Sequence, residues 1–388
     1  MSNGPSRGRL IQHSRPDPIR AFRCEIIAAV NDCRTRVLTT LDHREPDRTP
    51  VFMTLTPQVA ERLADVVGVP REPPVDSLLS TRISHARLLT HLGNDAVGIA
   101  ACAPPGALTR VEDDGTLVNE WGMRFRSVGL YDEFSEFPLA HATTARDVES
   151  YSLPDPLAPG RYDTAEATVR EFGGSHVVFG DLECSMFETA WYLVGLEKLL
   201  SDMATNEAYV AVLLDRLVDL STRTGLELIR RGADVIWAGD DFGTQAGMLM
   251  SPAMWRRLFK PRIRGMFEAF RSEKPDIELA WHSCGSIVPI VPDFIEIGLD
   301  ILNPIQPRAA GMEPRFLKRE YGRDLVFFGG LDIQELLPRG TPQQVKDEVR
   351  RLVEILGSGG GYILAPAHNV QDDTPTDNIL AVFEGVRS

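Results

Sequence analysis

Short runs rich in Val, Ile and Phe recur along the chain at residues 50–55, 94–101, 175–182, 234–239, 277–284, 299–305, 325–331 and 362–367. The segments between them carry apolar residues at helical spacing. Residues 193–225 place Leu and Val three and four apart, enough for two helices. Thr341-Pro342 opens a helical pattern that runs to Gly357, with Thr as N-cap and Pro at the first helical position. Ser251-Pro252 opens another in the same way. Strands alternating with helices predict a parallel sheet, and the count of eight predicts closure into a single (β/α)8 TIM barrel.

Residues 103–162 exceed what such a barrel needs. A turn at 112–116 separates strand-like pieces, and a Pro-rich stretch follows at 153–159. This predicts a hairpin insertion after strand two and then a linker, lying over one end of the barrel. Residues 1–20 are polar and punctuated by Arg and Pro, without the apolar core of a secretory signal. They read as a disordered arm ahead of a barrel domain at 21–388 that begins with an N-terminal helical extension.

The longest apolar runs fall well short of the roughly 18 residues that cross a bilayer, so no membrane span is expected. Acidic residues outnumber basic ones by 55 to 41, a net charge of −14, which repels a phosphate backbone and excludes nucleic acid as a natural partner. The cysteines (Cys24, Cys33, Cys102, Cys184 and Cys284) are odd in number and scattered, which is not a disulfide framework. A reducing, cytoplasmic location fits them, and there a cysteine close to a histidine points to catalysis or metal binding.

Reactive groups in such barrels sit just beyond the carboxyl ends of the strands. Those positions hold Asp181 and Glu183, Asp240 and Asp241, His282 and Cys284, Asn303 and Gln306, Asp332, and finally His368 and Asn369. Side chains two apart in a strand point the same way, so His282 and Cys284 can reach one ion. Imidazole and thiolate are zinc's preferred ligands, and His368 would complete three protein ligands with an open fourth position. Asp240, Glu183 and Asp332 are candidate catalytic groups, and Asn303, Gln306, Asp241 and Asn369 candidate substrate contacts. Blander roles compete: one of Asp240 and Asp241 caps the following helix, and Glu183 is a ligand, a base or a solvated loop residue. The Gly-rich 357–361 precedes a strand instead of leading from strand to helix, so it is a tight turn and not a phosphate loop.

The motifs Pro46-Asp47-Arg48-Thr49-Pro50, Trp281-His282-Ser283-Cys284-Gly285, Gly298-Leu299-Asp300-Ile301-Leu302-Asn303-Pro304 and Phe328-Gly329-Gly330-Leu331-Asp332 resemble the uroporphyrinogen decarboxylase superfamily. The tail Thr374-Pro375 to Asn378 adds to the likeness, which covers nearly the whole chain after about residue 30. Its true decarboxylases bind a many-carboxylate porphyrinogen through an arginine-rich segment after the first strand. Here that segment, 51–58, has no arginine. Its other branch, the cobamide-dependent methyltransferases, is similar in holding zinc with a His-x-Cys after strand five and one further ligand after strand eight. That further ligand is usually a cysteine, and the matching residue here is His368.

The resemblance therefore implies a zinc-dependent methyltransferase working between a small-molecule methyl donor or a thiol acceptor and a corrinoid. No Asp-x-His-x-x-Gly cobalamin signature occurs, so the corrinoid is expected in trans on a separate corrinoid protein. Barrels of the resembling families often form a homodimer. The alternative activity is a decarboxylase-like lyase acting without metal, and a third reading is a silent barrel that only binds a ligand.

Overall fold

The strands, in chain order, are β1 (Ala96–Ala100), β2 (Arg110–Val111), β3 (Leu117–Val118), β4 (Arg124–Ser127) and β5 (Asp132–Glu136). There follow β6 (Val177–Asp181), β7 (Val235–Gly239), β8 (Glu278–His282), β9 (Ile301–Ile305), β10 (Val326–Leu331) and β11 (Tyr362–Pro366). They belong to a computed structural model that describes residues 33–387 apart from 76, 78, 79, 108, 129–131 and 206. The expected arm at 1–20 and Cys24 lie outside the described residues.

Seven strands form one parallel sheet in the order β1-β6-β7-β8-β9-β10-β11. Alternate residues face a core enclosed by the sheet: Val177 and Phe179, Val235 and Trp237, Ala280, Ile301, Val326 and Phe328, Ile363 and Ala365. The intervening ones, among them Val178, Ile236, Leu279, Trp281, Leu302, Phe327 and Leu364, pack into a larger core that includes the helices. Burial on both faces is why these strands read as continuous apolar runs.

The expected first strand departs from the prediction. Residues 50–55 are extended but touch β11 and its sequel only through isolated parallel bridges, Val51 to Leu364 and Leu55 to Val370. On the other side, side chains replace a ladder: Val51 N–H donates to Asp95 Oδ2 at 2.8 Å and Met53 N–H to Asn94 Oδ1 at 3.0 Å. Asp95 N–H returns a bond to the Val51 carbonyl at 2.8 Å. Pro50 has no N–H to give, and the next N–H groups on that side go to side chains, so no regular eighth strand forms. The segment nonetheless joins the two edges of the sheet, which therefore curls round its inner core.

The first helix among the described residues, Cys33–Leu41, contributes Val37 and Leu41 to the inner core. Arg34 ties it to the amino ends of two strands, its guanidinium bonding Asp234 at 2.6 Å and its backbone N–H donating to the Ser175 carbonyl at 3.0 Å. It plugs that end, leaving the carboxyl ends as the mouth. The pattern at 193–225 becomes the helices Leu196–Thr205 and Ala208–Arg230. Thr341 caps Pro342–Leu352 with a capping box to Gln344, and a π-helical turn then carries the chain to Gly357.

The insertion is larger than one hairpin. β2, β3, β4 and β5 make a four-stranded antiparallel sheet. It packs on the helix Phe187–Val194 after β6, where Phe134 stacks on Tyr192 with ring centroids 4.7 Å apart. Two-residue strands carry little periodicity, so only the turn was legible beforehand. No helix among the described residues is long and apolar enough to cross a membrane.

Candidate metal centre

β8 delivers His282 at its last residue, and the chain then turns through Cys284 and Gly285. Four bonds fix that turn. Ser283 N–H donates to the Asn303 carbonyl at 2.7 Å, and Ser283 Oγ accepts from Phe242 N–H at 3.0 Å. Cys284 N–H donates to Asp241 Oδ1 at 2.6 Å, and Gly285 N–H to Gln306 Oε1 at 2.9 Å. Gly285 has φ 78°, and a Cβ there would lie 2.6 Å from the Thr244 carbonyl oxygen, so the close approach of the two loops requires glycine. The result brings Cys284 Sγ to 3.4 Å from His282 Nε2.

His368 comes in from the end of β11. Its ligand atom, that of His282 and the Cys284 sulfur all lie within 4.8 Å of one another. Tetrahedral zinc with N and S ligands sets those separations at about 3.3–3.6 Å, so side-chain adjustments of roughly an ångström suffice.

The tautomer of His282 is decided by its neighbours. Asn303 Nδ2 donates to the Phe328 carbonyl at 3.2 Å, and Trp237 Nε1 donates to Asn303 Oδ1, also at 3.2 Å. Asn303 Oδ1 is thus an acceptor, and the His282 Nδ1 lying 2.7 Å from it must carry the proton. Nε2 then keeps its lone pair for a metal, with Nδ1 held by an outer partner as ligating histidines require. Burial pushes the His282 pKa down to about 4, against the pull of Asp241, so the ring is neutral at physiological pH. Burial also raises the Cys284 thiol well above its ordinary range, with Asp241 and Glu188 adding to it. A cation would reverse that, because the thiolate is the form a metal binds. The donor set fits a borderline-soft divalent ion.

The carboxylates fall into distinct settings. Asp241 holds the Cys284 N–H and stands 3.6 Å from His282 Nε2. Asp240 is fully buried and accepts from Met186 and Glu188 N–H groups at 2.9–3.2 Å. It therefore anchors the start of Phe187–Val194, a helix that precedes it in the chain, and neither faces the mouth as a proton acceptor nor caps the helix that follows. Burial pushes its pKa up to about 8, with the backbone donors opposing. Glu183 has φ 51°, a left-handed conformation that costs a non-glycine residue about 1–3 kcal/mol and recurs at functional sites. It lines the mouth, 2.7 Å from Arg82 Nε, and burial pushes its pKa up to about 7. It is not one of the three clustered residues.

Asp332 stands apart from this group. Its oxygens accept from Gln334 and Leu336 N–H at 2.9 and 3.4 Å, and Arg308 lies 3.7 Å away. It caps its own turn and does not line the mouth cavity. Gln306 Oε1 is shared by Gly285 N–H and Gln245 Nε2, so its amide serves the ligand loop. Asn303 and Asn369 both line the cavity; the first is engaged by Trp237, His282 and Phe328, and the second bonds Thr54 Oγ1. The cavity, about 450 Å³ when the open solvent at its mouth is included, lies above Phe52, Trp237 and Phe328.

Two participants escaped the sequence reading. Arg82 comes from an irregular loop with no periodicity to mark it, yet it is buried, pairs with Asp181 and Glu183, and stacks 3.9 Å from the Trp237 ring centre. Glu188 resembles any acidic residue in a first helical turn. Its Oε2 accepts the Asp241 N–H at 2.9 Å, and its Oε1 accepts from the Tyr192 hydroxyl at 3.2 Å.

A curled parallel sheet with a His-Cys-His cluster at its carboxyl ends defines an α/β protein with a candidate metal-binding site. The family model described as Uroporphyrinogen decarboxylase (URO-D) matches residues 133–388, and the chain belongs to that family. Curated relatives carry two kinds of name. A methylated-thiol–coenzyme M methyltransferase of Methanosarcina mazei is 23% identical over 199 residues; the match spans 50% of this chain and about half, 49%, of that relative. The methylcobamide:CoM methyltransferase MtaA of Methanosarcina barkeri is 23% identical over 365 residues, 90% of this chain and 96% of its own. A uroporphyrinogen decarboxylase of Chromohalobacter salexigens is 25% identical over 273 residues, 67% of this chain and 73% of its own. The solved structure of a methyltransferase from Methanosarcina mazei superposes with a TM-score of 0.67 at 21% identity, covering 92% of this chain and 98% of that one. That likeness shows the fold.

Proposed function

We propose that this protein is a zinc-dependent methyltransferase that moves a methyl group between a small-molecule or thiol substrate and a corrinoid carried by a separate protein. The observation that carries this reading is the convergence of His282, Cys284 and His368, with the His282 lone pair directed by Asn303. The name of one relative that matches 90% of the chain, a methylcobamide:CoM methyltransferase, supports the corrinoid link.

Zinc in that site would supply charge that keeps a sulfur ligand deprotonated and a template that aligns it. The chain's own groups do the rest. Asp241 and Gln306 hold the backbone of the Cys284 turn, so the sulfur arrives in place without loop ordering. Glu183, with its affinity for a proton near neutrality, takes the proton a substrate thiol loses on binding and passes it to solvent at the open mouth, since the methylated product carries none. Phe52, Trp237 and Phe328 give the methyl group an apolar floor that excludes water. Asn369 and Thr54 are the polar groups of the opposite wall, placed to orient a substrate. Asp240 and Asp332 work as anchors of local structure. We place the protein in the cytoplasm, as the barrel domain of a homodimer.

The lyase reading rests on the family model's name and on the relatives named uroporphyrinogen decarboxylase. It lacks cations for a polyanionic substrate, since 51–58 holds no arginine and the mouth arginine, Arg82, is already paired. Elemental analysis before and after chelation separates the two. The expected result is about one zinc per chain, lost in His282→Ala and Cys284→Ser. A protein that takes up no zinc yet binds a porphyrinogen would establish the lyase reading instead.

A further inference from the structure

We infer that the part of the substrate that enters the mouth cavity beside Glu183 carries no negative charge, so the site takes a neutral or cationic thiol or methyl carrier and rejects an anionic one. This rests on the metal-site reading above and adds the charge class of the substrate to it.

The inference comes from the ionic inventory of the mouth. Among the described residues lining the cavity, Arg82 is the only arginine and there is no lysine. Its guanidinium is 5% exposed and already faces two carboxylates: Asp181, 2.6 Å from Nε and paired again through Nη2, and Glu183, 2.7 Å from Nε. One positive charge between two carboxylates leaves the group neutral while Glu183 holds the thiol's proton and net negative once that proton has gone to solvent, so in neither state does Arg82 offer a free cation. Asp241, 3.6 Å from His282 Nε2, adds another negative charge at the rim of the ligand cluster. A metal ion with a Cys284 thiolate and a substrate thiolate sums to zero and offers nothing to a second anion. An acidic tail would lose its hydration without gaining a partner and would meet like charge at short range. The remaining surface suits a methyl or onium group. Phe52, Trp237 and Phe328 stand with ring centroids 5.3–5.9 Å apart, and the Trp237 face already holds the Arg82 cation.

The test uses cobalt-substituted protein, whose sulfur-to-metal absorption reports thiol binding without turnover. Three thiols share a two-carbon spacer and carry a neutral, a cationic and an anionic tail: 2-mercaptoethanol, cysteamine and 2-mercaptoethanesulfonate. They are titrated at pH 8, where Glu183 is ionised, and each affinity is corrected for the thiol's own pKa. The neutral and cationic thiols should bind at least tenfold more tightly than the sulfonate, and Glu183→Gln, which frees part of Arg82, should shrink that ratio several-fold. Equal binding of the three, or tighter binding of the sulfonate, overturns the inference while leaving the metal site standing. A protein that retains no cobalt, or one whose spectrum no thiol perturbs, sinks the metal or thiol reading itself and this inference with it.

Discussion

The proton on His282 Nδ1 points at Asn303 Oδ1, 2.7 Å away, and the Asn303 amide is itself oriented by Trp237 and the Phe328 carbonyl. One buried amide from β9 thus decides which nitrogen of a β8 histidine is left to bind a metal. Loss of such outer partners typically lowers metal affinity by about 10–100-fold. Asn303→Leu should therefore keep a folded protein whose zinc affinity, measured by competition with a chelating dye, falls by that order. Unchanged affinity would show that the ring orients itself.

His368 is the third member of the cluster with His282 and Cys284. His368→Cys should retain about one metal per chain, because thiolate is as good a zinc ligand as imidazole. In the cobalt form its sulfur-to-metal absorption should rise towards twice that of the unaltered protein. His368→Ala should lose far more affinity than Asn303→Leu, since a ligand is removed and not a support. A spectrum unaffected by His368→Cys would place residue 368 outside the metal's reach.

The clustering of His282, Cys284 and His368 was legible because they lie at strand ends, where two-residue spacing and an apolar run fix both the place and direction of a side chain. What the carboxylates do was not. Asp240 and Asp241 are adjacent and chemically alike, yet the first accepts helix N–H groups in the interior and the second holds the Cys284 turn. That difference depends on the helix Phe187–Val194, far away in sequence. Arg82 and Glu188 were missed for the same reason: each acts through partners that only folding supplies. Seven strands read correctly from their apolar runs. The segment at 50–55 reads like the others but gives its N–H groups to Asn94 and Asp95 side chains, and no periodicity encodes that.

The assignment of Asp240 as an anchor separates from a catalytic role by a conservative change. Asp240→Asn keeps one accepting oxygen for the helix amides and should cost on the order of 1 kcal/mol in stability, with methyl transfer reduced only modestly. Asp240→Ala leaves buried N–H groups unpaired and should cost about 1–3 kcal/mol. Urea unfolding and turnover measured together decide it. Activity abolished in the well-folded Asn variant would return Asp240 to the chemistry.

At the opposite end of the sheet, Glu278 opens β8 close to Asp300, whose carboxylate takes the Leu279 N–H at 2.8 Å and Arg271 at 2.7 Å. Burial, reinforced by the charge of Asp300, pushes the Glu278 pKa up to about 7. An unfolded glutamate titrates near 4.3, so between those values the native protein binds more protons than the unfolded chain. The stability linked to this group is therefore complete below about pH 4 and is lost as the pH rises through 7. Glu278→Gln removes the ionisation and should raise Tm at pH 8 while changing it little at pH 5. Thermal melts of both proteins across that range provide the check, and a shift of equal size at the two pH values would mean that Glu278 is not held protonated by its surroundings.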